Sequence, residues 1–105
     1  MLGSENISMP ALSAYANTEN TALIILKQKG YQYWYDEETE RYCCEKDGWD
    51  FTAEGATELL GVVAFFEHHQ PTEYKEYWWK IDEPWLIEDV PNEPETYTPI
   101  WKREE

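Results

Sequence analysis

The sequence predicts an α+β fold: a small antiparallel sheet, made of a hairpin plus a third strand, with two helices packed on one face in the order α-β-β-α-β, and an extended C-terminal tail. Three observations carry this expectation. Tyr31, Tyr33 and Tyr35 alternate with Gln32 and Trp34, the period of two of a β-strand. Residues 22–26 and 58–66 instead carry apolar side chains at helical spacing or density. Between them lie Gly30, the pair Asp47-Gly48 and the pair Gln70-Pro71, which suit element ends. A chain of 105 residues has room for one modest core, so a single globular domain is expected over residues 17–90. A flexible lead-in over 1–16 precedes it, and an extended, acidic, proline-containing tail over 91–105 follows.

Taken in order, the first sixteen residues are low in charge, and Met1 to Ser4 read as a remnant or as a start ahead of Met9. Residues 1–10 have neither the basic nor the apolar region of a signal peptide, and no later apolar run approaches membrane-spanning length. A cytoplasmic location is therefore expected. Asn17 or Thr18 suits an N-cap and Glu19 the positive end of a helix, while Ala22, Leu23, Ile25 and Leu26 form its apolar stripe. Lys27 and Lys29 suit the last turn and Gly30 the C′ position, which places helix one at 18–29. Residues 31–35 then form a strand, Asp36 to Glu40 a polar turn and Arg41 to Glu45 a second strand ended by Asp47-Gly48.

Leu59, Leu60, Val62, Val63, Phe65 and Phe66 make helix two a central core helix, closed by Gln70-Pro71. Gly61 within it either admits another element closely or marks a local cost. Residues 76–81 are rich in strand-forming aromatics and stop at Asp82-Glu83-Pro84, so they are expected as the third strand, with a helical stripe through Tyr74, Tyr77, Trp78 and Ile81 as the alternative. As a strand, Tyr77, Trp79 and Ile81 share one face and Trp78 takes the other. Trp85, Leu86 and Ile87 are expected to anchor the chain again. Beyond them Pro91, Pro94 and Pro99 prevent regular structure, and Tyr97, Ile100 or Trp101 should pin the tail in a groove.

Composition narrows function more than any motif does. Eight basic against 22 acidic residues leave a formal charge of −14, which opposes direct binding to nucleic acid and to anionic membranes. Six tryptophans, eight tyrosines and three phenylalanines exceed what a small core can hold, so an aromatic patch rimmed by carboxylates is expected on the surface. If the three tyrosines of strand one turn toward the helices, Trp34 faces outward and an exposed Trp78 joins it; the reversed register exposes the tyrosines instead. Cys43 and Cys44 are strand neighbours pointing to opposite faces, a poor geometry for a disulfide. With His68 and His69 they lack zinc-site spacing, so no metal and no cofactor is expected. The histidines instead suit the negative end of helix two.

No phosphate loop, HExxH or nucleophile elbow is present, and the expectation is a protein that is not an enzyme. A small-molecule enzyme using His68 and Glu67 is the weaker alternative. The reading favoured by charge and surface is an acidic binder or inhibitor that occupies a basic site on a nuclease-like or toxin-like partner. Bacterial immunity proteins and phage inhibitors that mimic DNA are of this physical type. The candidate contact residues are Trp34, Asp36, Glu37, Glu38, Glu40 and Trp78; acids at 82–89 and in the tail, including Glu93, Glu95, Glu104 and Glu105, are the lesser candidates. A homodimer formed through the aromatic patch, with acidity serving solubility alone, is the competing expectation.

Overall fold

The computed structural model describes residues 11–102. Residues 1–10 of the lead-in, and Glu104 and Glu105 of the tail, lie outside the described residues. The chain divides into two compact units, one over Ser13–Lys80 and another that takes in residues 81–102.

The first unit holds the α+β fold. A 3-10 turn, Ala16–Thr18, leads into helix α1, Glu19–Gln28. Strands β1 (Gln32–Asp36), β2 (Arg41–Lys46) and β3 (Trp49–Ala53) follow, then helix α2, Ala56–His69. The strands form one antiparallel sheet in the order β1-β2-β3. The third strand thus precedes the second helix, and the expected order α-β-β-α-β is corrected to α-β-β-β-α. The step from β2 to β3 is a two-residue turn in which Asp47 and Gly48 both have positive φ, 55° and 89°. That is the type I′ geometry whose twist matches the strands it joins.

Helix α1 ends as its sequence suggests. Gly30 takes φ 97°, its N–H donates to the Lys27 carbonyl, and the Tyr31 N–H donates to the Leu26 carbonyl. This paired closure satisfies two carbonyls that the helix itself leaves open, and the side chains of Leu26 and Tyr31 enter the core together. Helix α2 ends at Gln70, which is left-handed, directly before Pro71.

The strand register settles which side chains share a face. Tyr33 pairs with Cys44 and Cys44 with Phe51; Tyr35 pairs with Tyr42 and Tyr42 with Ala53. Cys44, Phe51 and Ala53 are buried with Leu26, Tyr31, Leu59 and Val63, so this is the face the helices cover. Leu26, Leu59, Val63 and Cys44 are the largest side chains fully withdrawn from water. Leu60 is only partly buried, packed at the core's margin. A Cβ at Gly61 would meet nothing within 4 Å, so this glycine marks a local cost of the helix and not a close approach.

The start of α2 has no side-chain cap of its own, because its N-cap is Gly55. Glu19 of α1 supplies one across the fold. Its Oε1 accepts from the Ala56 N–H at 2.6 Å and its Oε2 from the Thr57 N–H at 3.3 Å, beside a 2.7 Å hydrogen bond between the Thr18 and Thr57 hydroxyls. The Ala56 N–H, followed by the Thr57 side chain, holds the Glu19 carboxyl below its ordinary 4.5.

Residues 76–81, expected as a strand, are not one. They form turns, in which the Trp78 N–H donates to the Lys75 carbonyl, the Lys80 N–H donates to the Tyr77 carbonyl, and Tyr77 has φ 59°. Ring packing decides this conformation against strand propensity. Trp78 lies 5.6 Å from Trp49, 6.1 Å from Phe66 and 6.4 Å from Phe51 by ring centroids, while His69 Nε2 donates to the Trp79 carbonyl at 2.9 Å.

In the second unit the chain is irregular apart from 3-10 turns at Ile87–Asp89 and Ile100–Lys102. Trp85, Leu86 and Ile87, expected as an anchor, are exposed, and so are Tyr97, Ile100 and Trp101. No helix among the described residues is long and apolar enough to cross a membrane.

Two outcomes test these assignments. Leu59→Ala should lower unfolding free energy by about 2–5 kcal/mol in urea titration, with Leu60→Ala costing clearly less. Because the folded-state pKa of Glu19 is depressed, its contribution is complete above the ordinary carboxylate range and disappears as pH falls through the folded value. Glu19→Gln should therefore melt below wild type at pH 7, and the gap should narrow as pH falls below the ordinary carboxylate range.

Candidate functional site

The sheet has one covered face and one open one. On the open face Trp34 of β1 pairs with Cys43 of β2, which pairs with Thr52 of β3, giving a row across all three strands. Trp34 is 44% exposed. A neighbouring row is Gln32, Glu45 and Asp50. Gln32 Nε2 donates to Glu45 Oε1 at 2.8 Å and the Gly48 N–H donates to Glu45 Oε2 at 2.7 Å. The Gln32 amide first, and then the Gly48 N–H, hold the Glu45 carboxyl below its usual range. A shallow hollow of about 300 Å³ runs past Trp34, Cys43 and Thr52 toward Val62.

The β1–β2 turn stands at one end of this face. Asp36 closes it locally: its Oδ1 accepts from the Glu38 N–H at 3.1 Å, its Oδ2 from the Thr39 hydroxyl at 2.9 Å, and its carbonyl from the Glu40 N–H at 2.7 Å. Glu40 adopts φ 58° to complete the turn. Asp36 is thus a brace, and Glu37, Glu38 and Glu40 are exposed with no side-chain partner among the described residues. Around them Tyr33 and Tyr35, on the helix-facing side by register, remain 42% and 47% exposed at the sheet edge. Tyr35 packs edge-to-face on Tyr42 at 5.0 Å.

Of the six candidate residues, five therefore gather on the β1–β2 hairpin. Trp78 does not join them. It is half-buried on the covered side of the sheet with Trp49, Phe51 and Phe66, so the expected continuous patch of Trp34 and Trp78 does not form. Sequence reasoning allowed exposed strand-one tyrosines only as the alternative to an exposed Trp34 and did not single out Tyr42; the closeness of these rings to a turn on an edge strand was the available signal.

Basic side chains do little to neutralise this surface. Lys29 pairs with Glu67 at 3.0 Å, the one ion pair among the described residues. Lys46 donates to the Lys29 carbonyl and lies 5.3 Å above the Tyr31 ring, and Lys80 and Lys102 lie over Tyr77 and Trp101. His68 and His69 end α2, their rings 5.3 Å apart. No group of three or more His, Cys, Asp or Glu side chains among the described residues is arranged to hold a metal ion.

No family model matches this chain, no curated protein matches it, and no solved structure matches it.

The two cysteines report directly on the faces. Cys44 is fully buried, and burial pushes its thiol up to about 11, whereas Cys43 lies part-exposed in the same row as Trp34. Iodoacetamide at pH 8 should label Cys43 in the native protein and Cys44 only after denaturation, as read by peptide mass spectrometry.

Proposed function

We propose that this protein is a non-enzymatic, acidic binding or inhibitor protein that occupies a basic site on another protein in the cytoplasm. Its carboxylates take the place of nucleic-acid phosphates there, as in immunity proteins and phage counter-defence inhibitors. The observation that carries the reading is the β1–β2 turn: three exposed glutamates, with no side-chain partner among the described residues, on a turn braced by Asp36 and next to half-exposed aromatic rings. Rigid support matters because a partner pays less ordering entropy to meet charges already held in place. The formal charge of −14, with a single ion pair among the described residues, adds a long-range field that speeds encounter with a basic surface.

Trp34 supplies the desolvated contact in this scheme. Bound side chains at the rim govern association, whereas a buried aromatic anchor governs dissociation. The partner is a basic nuclease-like or toxin-like protein, and double-stranded DNA should compete for the same site on it.

The test uses a partner captured from host lysate and then purified. Glu37→Gln with Glu38→Gln should slow association and flatten its salt dependence with little change in dissociation, and Trp34→Ala should speed dissociation by roughly thirtyfold, the equivalent of about 2 kcal/mol. Wild-type kinetics in both variants, or indifference of the complex to competing DNA, would return the acidity to a solubility role.

A further inference from the structure

A second feature lies at the opposite end of the sheet from the acidic turn. Between the β2–β3 turn and residues 72–78 there is an open cleft of about 460 Å³, lined by Trp49, Tyr74 and Trp78 together with Asp47, Asp50 and Glu73. Its volume falls within the roughly 300–1,000 Å³ of ligand pockets, enough for one long side chain and the backbone that carries it.

The two tryptophans are fixed from behind. Trp49 lies 5.2 Å from Phe66 and 5.6 Å from Trp78, and the Trp78 ring meets Phe66 and His69 edge-on. Tyr74 is 73% exposed and bears no such packing. The carboxylates of Asp47, Asp50 and Glu73 have no hydrogen bond or ion pair among the described residues. The cleft therefore combines fixed aromatic surface, one aromatic side chain without such packing, and negative charge that no cation among the described residues neutralises.

We infer that this cleft binds an arginine side chain presented by a basic polypeptide, a contact additional to the β1–β2 turn and resting on the acidic-binder reading. Guanidinium suits it better than ammonium: it is planar, stacks on aromatic faces, is weakly hydrated and forms forked hydrogen bonds to carboxylates. An apolar ligand would leave the carboxylates unpaired, and an anionic one would be repelled. A basic segment bridging the cleft and the β1–β2 turn would run along β2, six residues or roughly 20 Å.

The test is a titration of the intact protein with N-acetyl hexa-arginine amide, and separately with the hexalysine equivalent, followed by two-dimensional NMR at low salt. Saturable shifts of the Trp49 and Trp78 indole N–H signals are expected, with arginine several-fold tighter than lysine. Asp47→Asn with Glu73→Gln, both at exposed positions, should weaken binding about tenfold. Tyr74→Ala should erase the preference for arginine while preserving the fold. Glu37→Gln with Glu38→Gln should leave the cleft shifts in place. Shifts confined to the β1–β2 turn, or unsaturable and spread over every acidic residue, would overturn the cleft and leave the acidic-binder reading standing. An absence of shifts anywhere would remove both.

Discussion

One carboxylate ties the fold together. Four N–H groups at the start of any helix lack partners within it, and at α2 the preceding residue is a glycine that offers no side chain. Glu19 meets the first two from the neighbouring helix, placing negative charge where the helix dipole favours it. The contact spans 37 residues of sequence and sets α1 against α2, with the Thr18 and Thr57 hydroxyls closing the same junction. With Leu26 from α1 and Leu59 and Val63 from α2 in one core, the paired helices cover a single face of the sheet. The face bearing Trp34 is left open as a consequence.

A core with so few fully buried side chains needs closing at its margins, and aromatic rings do this. Phe66 and Trp78 pack on Trp49 and Phe51 at one end, using the large apolar area of each ring and edge-to-face contacts. The other end, near the β1–β2 turn, has no equivalent ring cluster among the described residues, and Tyr33 and Tyr35 remain half in water. The same composition thus gives a closed end and an open end, and the acidic turn belongs to the open one.

Much of this was legible where local chemistry and tertiary structure agree. Helix α1 was expected at 18–29 and spans Glu19–Gln28, and the aromatic alternation of β1 showed a strand but left open which of its faces is covered, which the burial of Tyr31 and Cys44 decides. Strand β3 was legible too, though it was passed over: Asp47-Gly48 is a strong two-residue hairpin signal, and Trp49, Phe51 and Ala53 alternate with Asp50 and Thr52 behind it. Residues 76–81 misled because strand propensity measures how well a side chain fits a half-buried pleated surface. Trp78 finds its burial in a ring cluster instead. The Glu19 cap could not be read at all, since nothing local to Glu19 or Gly55 announces a partner on another element.

The distribution of work among the carboxylates bears on why the chain is so acidic. Glu19 caps a helix, Asp36 braces a turn, Glu45 holds the β2–β3 turn and Glu67 pairs with Lys29. These acids are consumed by the fold. Solubility asks only that the remainder be exposed, and it places no demand on the rigidity of the segments that carry them. Yet Glu37, Glu38 and Glu40 stand on the turn that Asp36 stiffens, between two paired strands and beside Trp34. Charge carried on a braced turn next to apolar area suits the proposed binding role, in which electrostatic steering would set the rate of encounter and exposed aromatic surface would set how long it lasts.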